Sequence, residues 1–409
     1  MLIEKTLKMS IYDFDKVVER RGSGALKYDA LQERYGNSDL LPYWVADMDF
    51  ETPPFIIEAL RRRLDHPILG YTVTPEEFWQ SIIRWTYDRH GWEIKKEWLS
   101  YIPGIVKGIG MVINVFTSPG DEVIIQTPVY HLFRMVPEGN GREVLENPLL
   151  IQADGYYKID FDGLEELAAR ERCKLLILSN PHNPVGITWT REELARVADI
   201  CRRHGVMVIS DEIHCDMTLW GHLHVPFATA SDAARDISIT FAAPTKTFNM
   251  AGIVSSYSVI PNPEIRERFY SWLDANELSE PTIFAPIATV AAYNEGNTWR
   301  EEMLRYVEEN IDFIADYCEK HLPGIKAVKP QASFLVWLDC RGLKMTQTEL
   351  VKLFTEKAGL ALNDGAMFGT GGEGFMRFNA GAPRRLVAAA LDRLRTACGA
   401  ATECTYVSR

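Results

Sequence analysis

Four short apolar runs punctuate the middle of the chain: "DEVIIQTP" (121–128), "CKLLILSNP" (173–181), "GVMVISDE" (205–212) and "DISITFAAP" (236–244). Each is continuously apolar rather than alternating, the pattern of a strand covered on both faces. Between the second and third lies "TWTREELARVADICRRHG", which reads as a helix. Thr190 and Glu193 form a capping box, Leu194, Val197, Ala198 and Cys201 recur at helical spacing, and Gly205 marks the stop. A strand, helix, strand unit of this kind predicts an α/β fold with a mostly parallel sheet and right-handed crossovers. Towards the C-terminus the pattern changes to amphipathic stretches over 299–322, a strand over 333–340, a helix over 346–358, a strand over 374–381 and a last helix from about 383. These predict a smaller α+β domain. The expected organisation is an N-terminal segment over 1–50, without clear periodicity and packing with the small domain, a large domain over 51–290, and the small domain over 291–409.

Composition narrows the setting. A chain of 409 residues, 46% hydrophobic and 24% charged, suits two packed domains of an ordinary globular protein. The formal net charge of -12, with basic residues in small groups such as "RRR" at 61–63, argues against nucleic acid as a partner. No apolar stretch approaches the roughly 20 residues that span a bilayer. The start, "MLIEKTLKMSIYDFDKVVERR", mixes charged and apolar positions unlike a signal peptide, so a cytoplasmic location is expected. The seven cysteines (Cys173, Cys201, Cys215, Cys318, Cys340, Cys398, Cys404) never form a C-x-x-C pair and read mostly as core thiols. His222 and His224 have H-x-H spacing but no third ligand nearby, so no metal is expected. Trp44, Trp79, Trp85 and Trp92 read as core or interface anchors, and Asp47 and Asp49 either as residues near a site entrance or as helix or turn caps.

In an open parallel sheet, ligands collect at the carboxyl ends of the strands. There the sequence places Tyr130 after the first run, Asn180 and Asn183 after the second, Asp211 and His214 after the third, and Thr245 and Lys246 after the fourth. Any one of these alone would be an ordinary surface or turn residue. Together they are the set that pyridoxal phosphate requires: an amine for its aldehyde, an aromatic face for its ring, and a carboxylate that keeps its ring nitrogen protonated. Pro103 and Gly104 lead into an amphipathic stretch whose helix N-terminus suits a phosphate.

The motifs "SNPHNPVG" (179–186), "SDEIH" (210–214), "PTKTFNMAG" (244–252) and "MRFNAGAPR" (376–384) resemble the fold type I pyridoxal phosphate enzymes of the class I/II aminotransferase family. "YWVADMDF" (43–50), "PGIVKGI" (103–109), "TPVYHLF" (127–133) and "DEIHCDM" (211–217) resemble its cystathionine β-lyase, or carbon–sulfur lyase, branch. The resemblance implies the cofactor-bearing lysine at Lys246, its ring-nitrogen partner at Asp211, the ring-hydroxyl donor at Asn183 and the stacking aromatic at Tyr130. It also implies the phosphate turn at Gly104, Ile105 and Val106 with Thr245 as a hydroxyl donor, and the substrate-carboxylate arginine at Arg377. Tyr71 matches a tyrosine supplied across a homodimer interface, where it would assist Lys246 in catalysis. His214 stands where a tyrosine is common, leaving either a cofactor contact or a histidine satisfied by a backbone carbonyl. Val254 occupies the place where many aminotransferases carry a phosphate arginine, eight residues after the lysine. The implied reaction is α,β-elimination from an L-amino acid bearing sulfur at Cβ, to a thiol, pyruvate and ammonia. The alternatives are transamination and a cofactor-binding regulatory protein.

Overall fold

The computed structural model describes residues 10–406, with side chains described up to 399. The Cys404 side chain and the first nine residues of the N-terminal segment therefore lie outside what is described. The four apolar runs are β2 (Glu122–Ile125), β4 (Cys173–Ser179), β5 (Met207–Asp211) and β6 (Ser238–Ala242) of a seven-stranded sheet. The sheet also takes in β1 (Leu99–Ile102), β3 (Glu143–Glu146) and β7 (Ser256–Val259), in the order β1-β7-β6-β5-β4-β2-β3. Only β7 runs antiparallel to its neighbours.

Both faces of this sheet are covered, which is why its central strands carry no polar alternation. Leu176 and Leu178 of β4 pack in the same cluster as Leu194, Val197 and Cys201 of α2 (Arg191–Arg203). Leu175 and Ile177, the alternate positions, pack with Ile105, Ile109 and Val112 of α1 (Ile105–Phe116). Each such side chain is fully or almost fully buried, and each contributes about 1.5–3 kcal/mol by leaving water. The anticipated capping box closes α2: Thr190 accepts from the Glu193 N–H and Glu193 accepts from the Thr190 N–H at 2.9 Å. Gly108 lets α1 lie close on the sheet, since a Cβ there would stand 2.8 Å from Ile102 and 3.0 Å from Phe241.

After β7 come α3 (Phe284–Glu295) and α4 (Asn297–His321), separated only by Gly296. The boundary expected near 290 thus falls within α3. A four-stranded antiparallel sheet follows, built from β8 (Lys326–Val328), β9 (Leu335–Asp339), β10 (Asn363–Asp364) and β11 (Phe375–Asn379) in the order β8-β9-β11-β10. The last helix, α5, spans Arg384–Tyr406. The helix expected over 346–358 forms over Gln347–Lys352 and then widens into a π turn at Leu353–Lys357.

The N-terminal segment is held by side chains more than by ladders. A two-residue strand, Leu41–Pro42, pairs in parallel with Leu360–Ala361. Beyond it, Asp47 and Asp49 are partners of two cations rather than turn or capping residues. Arg20 contacts both carboxylates at 2.7 Å, and Lys27, with 0% of its surface exposed, donates to Asp49 at 2.7 Å. Trp85 and Trp92 are buried, with Trp85 stacked on Tyr293, while Trp44 and Trp79 are half-buried.

Candidate active site

Because β4, β5 and β6 run in parallel, the loops at their carboxyl ends open on one edge. Asp211 ends β5, paired with Ser179 and Phe241 on either side. Its carboxyl is buried and accepts one hydrogen bond among the described residues, from the Ile213 N–H at 3.0 Å. Desolvation therefore dominates and pushes its pKa up to about 7. A nearby Glu212 pushes the same way, while the Ile213 N–H and Lys246 oppose it. Such a carboxyl is short of a cationic partner.

Lys246, four residues past β6, donates through Nζ to the Ala46 carbonyl at 2.5 Å. Desolvation, with Arg377 adding to it, lowers its pKa to about 8, while Asp47 and Asp211 resist the shift. About one amine in ten is then uncharged and nucleophilic at neutral pH, against roughly one in three thousand for an ordinary lysine.

Arg377 sits on β11, almost wholly buried, and makes no ion pair with a described carboxylate. Its guanidinium donates to Asn183 Oδ1 at 3.0 Å, to Asn363 Oδ1 at 2.6 Å and to the Trp44 carbonyl at 2.9 Å, while Nε has no partner. Burial lowers its pKa to about 10. An arginine charge surrounded by dipoles alone is poised for an external carboxylate, which its planar fork grips in two parallel bonds.

Tyr130 is half-buried, and its backbone N–H donates to the Asn183 carbonyl at 3.1 Å, tying the aromatic to the "HNP" loop. Gly104 precedes α1 at φ 107°, and the N–H groups of Ile105 and Val106 face out of the helix N-terminus with no described acceptor. A Cβ at Gly104 would lie 3.9 Å from Val254, so the residue standing in for the usual arginine faces this turn. Val254 adopts a left-handed backbone, φ 55°, which is strained for a β-branched side chain. Thr245 is buried with no described partner for its hydroxyl.

His214 does not meet a backbone carbonyl. It is buried with Nδ1 unpartnered, and burial together with the charges of Lys246 and Arg377 drives its pKa down to about 3. Asn180 turns away, its amide donating to the Val225 carbonyl. Tyr71 is not gathered with the others: it is fully exposed on the loop before the helix Glu76–His90. His224 is bonded to Glu212 at 2.8 Å, and the metal-like grouping is instead His90, Cys215 and Asp216, with ligand atoms within 4.8 Å of one another. Asp216 already receives Trp85 Nε1 on both oxygens and His90 Nε2 on one, so hydrogen bonds engage it.

Three asparagines were not legible as site residues. Asn379 donates to the Val45 and Asp47 carbonyls, Asn249 to those of Met48 and Phe50, and Asn363 holds Arg377. One signal existed for Asn379: two residues beyond Arg377 on the same strand, it must share its face.

These residues fit pyridoxal phosphate on three structural counts. Asp211 is a buried acid lacking a cation, Lys246 is an amine with lowered pKa, and the N-terminus of α1 presents backbone donors at a turn without a side chain.

The model of the "Aminotransferase class I and II" family matches residues 44–394. The chain belongs to that family, and its architecture is the fold type I expected of it. The chain is 43% identical to cystathionine beta-lyase PatB of Bacillus subtilis (strain 168), an alignment covering 94% of this chain and 99% of that one. It is 38% identical to the protein MalY of Escherichia coli (strain K12), covering 91% and 95% respectively. Among solved structures it is similar to cystalysin from Treponema denticola, which contains pyridoxal 5'-phosphate, with a TM-score of 0.91, 37% identity, and coverage of 95% and 98%.

Proposed function

We propose that the protein is a pyridoxal phosphate-dependent carbon–sulfur β-lyase that converts cystathionine or a related S-substituted L-cysteine, with one water, to a thiol, pyruvate and ammonia. The observation that carries this reading is the meeting of Lys246, Asp211 and the acid-free Arg377 at one sheet edge, in a chain 43% identical to a cystathionine beta-lyase. When bound, the cofactor supplies an electron sink for the substrate's Cα. Arg377 grips the α-carboxylate and orients the Cα–H bond. Lys246 takes the Cα proton, for which a pKa of about 8 suits it near neutral pH, and returns a proton to the departing sulfur. Asp211 keeps a proton on the ring nitrogen, and Tyr130 holds the ring flat, with Asn183 donating to the ring hydroxyl. Gly104, Ile105, Val106 and Thr245 hold the phosphate, and His214 contacts the cofactor. The positive charge at this turn is sparse because Val254 replaces the usual arginine.

The active form in this reading is a homodimer with shared sites, each receiving Tyr71 from the other chain as an aid to Lys246. The exposed apolar run Leu64, Ile68, Leu69, Tyr71 and Val73 supports it, since such clusters mark contact surfaces. The buried thiols Cys173, Cys201, Cys215, Cys318 and Cys340 suit a reducing, cytoplasmic setting. Among the described residues no helix is long and apolar enough to cross a membrane.

Pyruvate release from L-cystathionine without an added keto acid tests the activity. The expected result is steady release by the wild type, and loss of both release and the cofactor's visible absorbance in Lys246→Ala. Amine transfer to the cofactor without pyruvate would overturn the lyase reading in favour of transamination.

A further inference from the structure

His131 follows Tyr130 directly and has no role in the chemistry above. Its ring meets Tyr130 edge-on at 4.9 Å and turns its edge to Phe368 at 6.5 Å. Phe368 in turn lies 5.0 Å from the Arg377 guanidinium carbon. Tyr130, His131, Phe368 and Arg377 thus form one continuous wall.

The His131 imidazole makes no hydrogen bond among the described residues, and its Nδ1 is sealed from solvent without a partner. A neutral imidazole carries one donor and one acceptor, and leaving a buried polar atom unserved costs about 1–3 kcal/mol. Burial and the charges of Arg377 and Arg34 hold its pKa down to about 4. The ring is therefore uncharged, half-buried and set in a positive field. Such a site offers an N–H to an acceptor bearing negative charge.

We propose that His131 is a specificity-determining subsite that receives a carboxylate carried beyond the sulfur of the substrate. Arg377 is committed to the α-carboxylate, so His131 is left for the group on the leaving side, and Arg34 adds to the positive field there. The inference rests on the β-lyase reading of the same site. It predicts that the enzyme favours thioethers whose distal arm bears a carboxylate, such as L-cystathionine, over plain S-alkyl cysteines.

The test compares L-cystathionine with S-ethyl-L-cysteine in the wild type, His131→Phe and His131→Gln. In His131→Phe, KM for L-cystathionine is expected to rise about tenfold, the equivalent of about 1.4 kcal/mol, with kcat and the S-ethyl-L-cysteine kinetics unchanged. His131→Gln, which retains an N–H donor, is expected to recover most of the loss. Equal losses for both substrates would overturn the proposal by making His131 a support for Tyr130, and so would no loss for either. Dissociation constants from tryptophan fluorescence separate this failure from that of the lyase reading. Absent pyruvate release overturns the lyase reading, whereas the subsite falls only if His131→Phe fails to weaken binding of L-cystathionine selectively.

Discussion

Asp211 and Lys246 shift in opposite senses, and the two shifts leave opposite marks on the stability of the cofactor-free protein. The folded-state pKa of Asp211, about 7, lies above the ordinary carboxylate value, so the native chain binds that proton more tightly than the unfolded chain. Its contribution is therefore most favourable at low pH and is lost progressively as pH rises towards 7. Lys246, at about 8, lies below the ordinary lysine value. Its penalty is complete below about 8 and fades as pH rises from there towards the unfolded value. Asp211→Asn, which can still accept from the Ile213 N–H, should remove the first effect. By calorimetry the excess melting temperature of the cofactor-free variant over the wild type should grow from about pH 4 to about pH 7 and be largest at about pH 8, while lyase activity is lost. A variant that melts below the wild type at about pH 8 would count against a desolvated carboxyl. At this scale Asp211 and Lys246 were legible because an acid and an amine follow neighbouring parallel strands together with Asn183 and Tyr130, whereas Arg377, inside its strand, was legible only through the family resemblance. Asn249, Asn363 and Asn379 were not: an asparagine that spends its amide on backbone carbonyls, as Asn249 and Asn379 do, or accepts from a distant arginine, as Asn363 does, looks in sequence like any turn residue.

Among the elements, α1 is the most sensitive to a small change. Gly104 holds a backbone, φ 107° and ψ 138°, that a side chain tolerates poorly, and it sets the direction in which the Ile105 and Val106 N–H groups point. Gly104→Ala should therefore destabilise the fold by about 1–3 kcal/mol and weaken cofactor retention, read by urea unfolding and by dialysis followed by absorbance. A variant unchanged in both would place the phosphate elsewhere. The central strands and α2 could be read from pattern alone because both faces of the sheet are covered, and continuous apolar runs follow directly. β3 and β7 escaped that reading for different reasons. β3 lies at the sheet edge and is mostly half-buried, while β7 buries Ser256 and Ser258 in place of aliphatic residues.

For the whole molecule, the proposed homodimer makes a sharper demand than the fold does. Tyr71 is fully exposed in the single chain, so in a shared site each chain supplies it to the other. Coexpressed Lys246→Ala and Tyr71→Ala chains, each nearly inactive alone, should recover about a quarter of wild-type activity, because half the dimers are hybrids with one intact site. Activity no greater than that of the two variants kept apart would mean that Tyr71 works within its own chain or not at all. The N-terminal segment was the least legible part at this scale. Its carbonyls at Trp44, Val45, Ala46 and Asp47 are met by Arg377, Asn379 and Lys246 from distant parts of the chain, and such tethering leaves no periodicity to detect.

Lys27 gives that tethering a chemical signature. Its amine, bonded to Asp49 and wholly covered, is out of reach of any acylating reagent while the segment from Arg20 to Asp49 stays in place. Each acylation of Lys27 in the native protein would therefore record one lifting of the wall that carries the Ala46 carbonyl. Its rate is a clock for the opening of the active site, readable by mass spectrometry without substrate, cofactor or mutation.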